Sequence, residues 1–520
     1  MLTLMNIKRV FSVAAVCLAL SSVCADDAAV VRSEWLMRQQ PMTAQRGDLP
    51  RSTPEQQGVS SDIISAFYDT LLNVKQIDIH GVVIMRHGKV ISELYPKPYR
   101  EDSRLTLYSV SKTFTGLAVG IAVDKGLIDI NKPITEYLSQ EPRAKNQEPR
   151  DAGEPPALPE NSPTGPVPTV RDLLTMRSGI EPDWTLRDTC NNWTQRLLEK
   201  PRDSVGLRYG YDSMMSYLLA EAVQNVTGMT LLDFLDQNLF RPLDINDASW
   251  EVSPESVNTG GWGLMLSNCS MAKVGQLLLQ LGAWGGQQIV SRRWMAEMMA
   301  AHSNNGKSDY GYQIWVNPDG MSYRADGALG QYILVHPKQD MVCVITSCTN
   351  KSPVSAASLW WQFVTAKKLN DTALADDTLA HDHLLDRQNF AALPTCGGMA
   401  KSPMMKSKVE KELKINATDS TSEWHIVSVT QAGRALRLRI VTKSGHRTHI
   451  DCGFGYWRDN RSGLTPPYYI KAQNRLTNLK PQEGRVSGCY GFTSPYDLHV
   501  QLQFTNFGTR YDTHIKLKRK

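Results

Sequence analysis

Residues 107–126, LYSVSKTFTGLAVGIAVDKG, predict a helix that is apolar on nearly every face. Phe114, Leu117 and Ile121 recur at helical spacing, and small apolar residues between them leave no broad polar side. A helix of this kind is buried, so the chain must build a core around it. Gly126 is placed to end the helix in the left-handed conformation.

Two polar residues interrupt the head of this apolar helix. Ser109 and Lys112 fall about one turn apart, on one face. A buried lysine is costly unless it is paired or neutral. A neutral lysine can act as the base that a serine nucleophile needs, and a helix N-terminus favours an oxyanion nearby. Because S-x-x-K is frequent by chance, the spacing alone assigns no function.

The order of predicted elements indicates an α+β fold. A strand hairpin around His87-Gly88 precedes a run of helices, then further strands and an amphipathic helix. This order predicts an antiparallel sheet flanked by helices, with an inserted helical region. We assign these elements to a domain at 26–375, in which the Pro-rich stretch 141–168 is an exposed loop.

The pattern of apolar and polar residues changes after about residue 371. Alternating runs such as ALRLRIVT and DLHVQLQF predict strands separated by turns. We therefore expect a small all-β C-terminal domain at 385–520. The acidic, polar segment ADDTLAHDH, residues 375–383, is the predicted linker.

The N-terminus carries the features of a signal peptide. Lys8 and Arg9 precede a short apolar run, and Val23-Cys24-Ala25 is a suitable cleavage site, which predicts removal of residues 1–25 and a periplasmic or secreted protein. The apolar run is too short to favour spanning a membrane. A lipoprotein would use Cys24, but Val23 is a poor residue at that position.

Charge and cysteine content narrow the possible partners. A formal net charge of +5 on 520 residues is too small to favour nucleic-acid binding. Of nine cysteines, two precede the cleavage site, and the remaining seven show no zinc-binding spacing. We expect no metal and no cofactor. Export permits disulfides, and Cys452 with Cys489 is a candidate pair because both lie in the β-rich region.

Five segments together carry a family resemblance. They are, in order, SVSKTFTGLAVGIAVDKGLIDINKPITEYL, TVRDLLTMRSGI, YDSMMSYLLAEAVQNVTG, GGWGLMLSNCSMAKVGQLLLQLGAWGGQQIVSRRW, and YGYQIWV with GALGQYILVHPKQDMVCVITS. The set resembles the serine β-lactamase-like superfamily in its class C branch, over roughly residues 60 to 370. That branch holds class C β-lactamases, DD-peptidases, carboxylesterases and 6-aminohexanoate-dimer hydrolases. The resemblance implies a β-lactamase/transpeptidase-like fold and an acyl-enzyme mechanism.

The resemblance also implies roles for individual residues. Ser109 matches the nucleophile, Lys112 the lysine beside it, and Tyr211 a general base that an ammonium group stabilises as phenolate. Ser213 stands where the family has asparagine and is expected at the substrate. The alternatives are that Tyr211 is a core aromatic and that Ser213 is a helix N-cap. The backbone N–H groups of Ser109 and Ala328 would form the oxyanion hole.

The third family motif differs in this sequence. Where relatives have K-T-G, H-x-G or W-x-G, this chain has Ala325-Asp326-Gly327. Gly327 still permits close approach of a substrate, but the cation that meets a substrate carboxylate is missing. Arg324 would point to the face opposite that of Ala325 on an ideal strand. This difference weakens the case for β-lactam or D-Ala-D-Ala substrates.

Three tryptophans lie in segments that flank the pocket in the family. Trp184, Trp193 and Trp262 are expected either to form an apolar wall for the acyl group or to be ordinary core aromatics. The sequence therefore predicts an exported serine hydrolase, closer to an esterase or amidase than to a β-lactamase. It would act on a small ester, amide or peptide-like molecule. A DD-peptidase or β-lactamase, and a non-catalytic envelope binding protein, remain alternatives, and the oligomeric state is open.

Overall fold

The computed structural model describes most of the chain, namely residues 49–138, 165–349, 352–366, 369–403, 413–414, 424–432, 435–466 and 484–517. The predicted signal peptide lies outside these residues, as does most of the predicted Pro-rich loop. Among the described residues, the helices are all too short or too polar to cross a membrane.

The first sheet is antiparallel and forms the frame of the fold. Its strands are β1 (Ile77–Arg86), β2 (Lys89–Leu94), β8 (Ser303–Asn304), β9 (Asp309–Tyr310), β10 (Trp315–Val316), β11 (Tyr323–Gly327), β12 (Gln331–His336) and β13 (Met341–Thr349). They lie in the order β2-β1-β13-β12-β11-β10-β9-β8. The predicted hairpin is present, with His87 and Gly88 at positive φ between β1 and β2.

Helices cover both faces of this sheet. They are α1 (Ser61–Asn73), α2 (Ser111–Asp124), α3 (Val170–Leu174), α4 (Leu186–Thr189), α5 (Trp193–Leu198), α6 (Ser213–Thr227), α7 (Leu231–Leu235), α8 (Asn268–Leu279), α9 (Arg292–Met298), α10 (Ala356–Ala366) and α11 (Thr378–Phe390). Val83 and Met85 of β1 join a core with α2, α6 and α8. Val82 and Ile84 point the other way, into a core with α1 and α10. This alternation explains why β1 is apolar throughout.

Short strands lie beside the helical insertion. They are β3 (Leu105–Thr106), β4 (Ser249–Trp250) and β5 (Leu264–Leu266), in the order β3-β5-β4, and the pair β6 (Ala283–Trp284) and β7 (Gln287–Gln288). Strand β3 leads directly to Ser109. The insertion contains α3 to α7, on the side of the sheet that carries α2.

The C-terminal part forms a separate sheet with its own core. Its strands are β14 (Leu413–Lys414), β15 (Trp424–Ala432), β16 (Ala435–Thr442), β17 (Arg447–Gly453), β18 (Arg458–Arg461), β19 (Arg485–Ser494), β20 (Asp497–Phe504) and β21 (Thr509–Lys516). They pair as antiparallel neighbours except for β17 and β19, which are parallel. The α+β fold with a C-terminal all-β sheet is thus confirmed.

Two expectations about this part of the chain were wrong. The segment predicted as a linker forms much of α11, which buries Leu384 in the core that contains α1. The sulfur atoms of Cys452 and Cys489 form no disulfide. The neighbour of Cys489 is instead Cys396, whose Sγ lies 3.4 Å from its own. The sequence analysis assigned Cys489 to the correct sheet, but its neighbour Cys396 comes from the irregular segment after α11 and not from a strand of that sheet.

The turn between β20 and β21 joins the C-terminal sheet to the strand before Ser109. Thr106 N–H donates to the Asn506 carbonyl at 2.8 Å. The Asn506 side chain donates to the Arg104 carbonyl at 3.1 Å, and Tyr108 Oη donates to the Phe507 carbonyl at 3.4 Å. The C-terminal sheet therefore holds β3 from the side that β5 leaves open.

Candidate active site

Ser109 lies in a single 3₁₀ turn, Tyr108–Val110, between β3 and α2. Tyr108 adopts a φ of 48°, a left-handed conformation that is uncommon for a non-glycine residue. Buried Leu107 and Val110 hold the turn on both sides, while Ser109 keeps partial exposure. This arrangement presents the serine hydroxyl to solvent at the head of a buried helix.

Lys112 is 1% exposed and directs its amino group at Ser109. Its Nζ donates to Ser109 Oγ at 3.0 Å, to Ser213 Oγ at 2.6 Å and to the Gly261 carbonyl at 2.8 Å. Burial lowers the pKa of Lys112 to about 7, with Asp212 opposing this shift and the Arg187 charge adding to it. Because all three hydrogen-bond acceptors are uncharged, a substantial fraction of Lys112 is neutral near pH 7.

The start of α6 shapes the other side of the lysine pocket. Asp212 is the N-cap, and its carboxylate accepts from Met214 N–H at 2.9 Å. Ser213 is the first residue of the helix, so the alternative that Ser213 is the N-cap was wrong. Gly261 packs against Ser213 so closely that a Cβ there would overlap it. The glycine thus lets its carbonyl reach the Lys112 amino group.

Tyr211 is brought to the same pocket as Ser109 and Lys112. Ser109 lies close enough to act on the pKa of the Tyr211 hydroxyl, and the Tyr211 ring centroid lies 4.8 Å from Lys112 Nζ. The ring stacks on Trp315 at 5.6 Å and 22°. Burial raises the pKa of Tyr211, and the nearby Asp326 carboxylate raises it further. Both effects disfavour the phenolate that the resemblance implies, so the role of Tyr211 as a base stays a prediction.

The end of β11 lies against the nucleophile turn. A Cβ on Gly327 would overlap the Leu107 carbonyl, so glycine is required for this approach. The structure gives Gly327 a packing role against the chain, and its role toward a substrate stays a prediction. Ala328 follows Gly327 in an exposed turn. The oxyanion hole built from the N–H groups of Ser109 and Ala328 also stays a prediction.

Arg324 does not supply a free cation at this edge. It lies on the same face of β11 as Asp326, with Nε 3.2 Å from Oδ2, while Ala325 faces the core. Its guanidinium also donates to Asn317 and Ser308 and lies over the Trp315 ring. The Asp326 carboxylate and the Asn317 amide oxygen therefore already pair with the Arg324 guanidinium.

The three tryptophans have different surroundings. Trp193 is buried and contacts the Trp262 ring at 6.0 Å, as a core aromatic does. Trp184 is 43% exposed. The Arg187 guanidinium carbon lies 4.8 Å from the Trp184 ring centroid and 4.9 Å from that of Trp262. Trp184 and Trp262 therefore flank a cation instead of forming a purely apolar wall.

The sequence pattern of the Beta-lactamase family matches residues 69–364, which is more than half of the chain. The protein belongs to the Beta-lactamase family. This is a family of serine hydrolases of the β-lactamase, DD-peptidase and 6-aminohexanoate-hydrolase type. The family pattern spans Ser109, Lys112, Tyr211 and the strand β11.

The relatives of this Beta-lactamase family member are named for different hydrolytic activities. It is 25% identical over 296 residues to the 6-aminohexanoate-dimer hydrolase of Paenarthrobacter ureafaciens, covering 50% of this chain and 70% of that protein. It is 22% identical over 282 residues to the D-alanyl-D-alanine-carboxypeptidase/endopeptidase AmpH of Escherichia coli K12, covering 50% and 66%. Among solved structures, a class C β-lactamase aligns at 14% identity over 60% of this chain and 97% of its own, with a TM-score of 0.47. FmtA from Staphylococcus aureus aligns at 15% identity over 66% and 97%, with a TM-score of 0.45.

Sequence reasoning missed Arg187 in this family member. Its position three residues after Trp184 was the available signal, since residues at that spacing share a face of a helical turn. Whether the second indole belongs to Trp262, 75 positions further on, depends on the fold. Glu251 was also missed: burial raises its pKa to about 8, and it lies near Trp262 and Arg187.

Proposed function

We propose that this protein is an exported serine hydrolase that cleaves an ester or amide through an acyl-Ser109 intermediate. The observation that carries the proposal is the pairing of Ser109 Oγ with a buried lysine whose pKa is about 7. A base whose pKa lies near the working pH combines availability with proton affinity. The N-terminal signal-like segment supports export to the periplasm or medium.

The first step is attack of Ser109 Oγ on the substrate carbonyl. Neutral Lys112 takes the hydroxyl proton across their 3.0 Å hydrogen bond as the new C–O bond forms. The resulting Lys112 ammonium is stabilised by Ser213 Oγ and the Gly261 carbonyl. The N–H groups of Ser109 and Ala328 would hold the oxyanion.

The second step expels the leaving group and then releases the acid. The Tyr211 hydroxyl, which lies near Ser109, would pass a proton to the departing oxygen or nitrogen and regain one from Lys112. Water then attacks the acyl-serine while Lys112 accepts its proton, and Lys112 returns that proton to Ser109 Oγ as the acyl C–O bond breaks and the acid leaves. A neutral tyrosine suits this relay because it has a proton to give.

The β11 edge favours an ester or amide over a β-lactam. The family lysine is replaced by buried Ala325, and Arg324 is engaged by Asp326. The relative named for hydrolysing the 6-aminohexanoate dimer supports an amide substrate. A DD-peptidase or β-lactamase is the second candidate, supported by the likeness to the carboxypeptidase AmpH.

The test is covalent labelling of Ser109. We expect a neutral fluorophosphonate to add once to the native chain and not to Ser109→Ala, as read by intact mass. Ser103→Ala, a serine on the loop before β3, is the matched control and should label like the native chain. A panel of 4-nitrophenyl esters, amide dimers and nitrocefin then sorts the substrates. A folded native chain that takes no adduct would favour the non-catalytic binding protein.

A further inference from the structure

Arg187 is a cation near the catalytic pocket that the proposed mechanism does not use. Its guanidinium is held between the rings of Trp184 and Trp262, and its Nε donates to the Trp184 carbonyl at 3.4 Å. Within the ranges that the structure describes, no carboxylate lies within ion-pair distance of it. Stacking on two indoles fixes the plane of the guanidinium while leaving its outer N–H groups available.

The position of Arg187 relates it to the reacting groups. Trp262 follows Gly261, whose carbonyl accepts from Lys112 Nζ. The charge of Arg187 is close enough to lower the pKa of Lys112. Trp184 is 43% exposed, so one of the two rings beside the guanidinium lies at the surface of the protein.

We propose that Arg187, clamped between Trp184 and Trp262, binds a carboxylate of the substrate and makes the enzyme selective for carboxylate-bearing esters or amides. Arginine suits this role because its planar fork matches a carboxylate with two parallel hydrogen bonds. It would replace, from the helical insertion, the cation that relatives carry on the strand at Ala325. The proposal rests on the proposed serine-hydrolase function.

A structural role for Arg187 is the main competing explanation. The carboxylates of Asp188, Glu251 and Asp212 all act electrostatically on it. If Arg187 served only to offset these charges, its removal would lower kcat/KM equally for every substrate. Selective loss for carboxylate-bearing substrates therefore separates recognition from structural support.

The experiment uses two matched substrate pairs. Mono-4-nitrophenyl glutarate and its methyl ester differ only by a carboxylate on the acyl side. 4-Acetoxybenzoate and its methyl ester differ only by a carboxylate on the leaving side. We expect the native enzyme to prefer the acid in one pair, and Arg187→Gln to lose about 10- to 100-fold in kcat/KM for that acid while changing its methyl ester less than about threefold. Arg208→Gln, which removes a surface arginine paired with Glu181, is the matched control.

The outcomes distinguish a failure of carboxylate recognition by Arg187 from a failure of the proposed serine-hydrolase function. No preference for either acid, or an equal loss on acid and methyl ester in Arg187→Gln, would overturn carboxylate recognition. Fluorophosphonate labelling of native chain and Arg187→Gln alike would then show that the serine hydrolase itself stands. Absence of labelling in the native chain would instead overturn the proposed function.

A second inference comes from the C-terminal sheet and is independent of catalysis. Cys396 and Cys489 lie with their sulfurs 3.4 Å apart, and Cys396 N–H donates to Cys489 Sγ at 3.3 Å. We infer that these two thiols form a disulfide under oxidising conditions. Each thiol loses one proton and one electron, and a disulfide oxidant such as oxidised glutathione takes both electrons to give two thiols. The bond would fasten the segment after α11 to β19.

Alkylation after denaturation tests this pairing. After incubation with oxidised glutathione, we expect Cys396 and Cys489 to resist alkylation and to appear in one linked peptide that dithiothreitol separates. Cys452→Ser is the matched control and should keep the link, whereas Cys396→Ser should lose it. Alkylation of both thiols in the oxidised native chain, or a link between Cys452 and Cys489, would overturn the inference.

Discussion

The surroundings of Ser109 and the C-terminal sheet differ in where they place charged side chains and in whether those side chains are paired. In the C-terminal sheet, Arg437 and Asp451 pair at the surface through two hydrogen bonds of 2.7 and 3.0 Å. Around Ser109, Lys112 and Asp212 are buried, and neither forms an ion pair within the described chain. Burying a charge without a close partner destabilises a fold. The comparison therefore locates chemistry at the pocket and packing in the sheet.

The largest expected effect comes from removing the buried lysine beside Ser109. Lys112→Ala should lower kcat/KM for an activated ester by about 10²- to 10⁴-fold, because Ser109 loses its base. The measurement is the initial rate of 4-nitrophenyl ester hydrolysis. Lys132→Ala, which removes an exposed lysine paired with Glu136, should leave the rate unchanged. A Lys112→Ala enzyme within threefold of native would break the distinction between the two regions.

A smaller effect is expected at Tyr211, where pH sharpens the assignment of the base. Acylation should rise as pH increases through about 7, since Lys112 becomes neutral above its pKa. Tyr211→Phe should lower the rate by about 10- to 100-fold and leave this rise at the same pH, because the pKa of Tyr211 is raised and its proton stays on. The check is the pH–rate profile of single-turnover acylation. Loss of the rise near pH 7 in Tyr211→Phe would make tyrosine the base.

The fold could be inferred further from the sequence than the site. Apolar periodicity determines that α2 is buried, and the spacing of Ser109 and Lys112 follows from helix geometry. The protonation of Tyr211 could not be inferred, because it depends on how deeply the ring is enclosed by Trp315 and its neighbours. Arg187 was not predicted for a related reason, because the second ring that contacts it comes from a distant segment. The spacing of neighbouring residues can be read from the sequence. The burial of a side chain and its contacts with distant segments are set only when the chain folds.

The contact between the C-terminal sheet and β3 provides an intermediate effect. Asn506→Ala removes the hydrogen bond to the carbonyl of Arg104, the residue just before β3, which leads to Ser109. We expect kcat to fall by about tenfold with little change in KM, because a small displacement of the nucleophile costs rate more than binding. Ser444→Ala, in the turn between β16 and β17, is the matched control. Equal kinetics for both variants would make the C-terminal sheet independent of catalysis.

The smallest effect is expected for the surface pair in the C-terminal sheet. Arg437→Ala should lower the free energy of unfolding by less than about 1 kcal/mol at pH 7, since exposed ion pairs gain little over hydration. Arg437 holds the pKa of Asp451 below its usual range. The stabilisation is therefore present above the ordinary carboxylate pKa and is lost as pH falls through the lowered one. Urea unfolding at pH 7 and pH 3 measures the difference, which should shrink at the lower pH. A loss of several kcal/mol would show that this sheet, like the pocket, depends on a charge that its surroundings do not fully solvate.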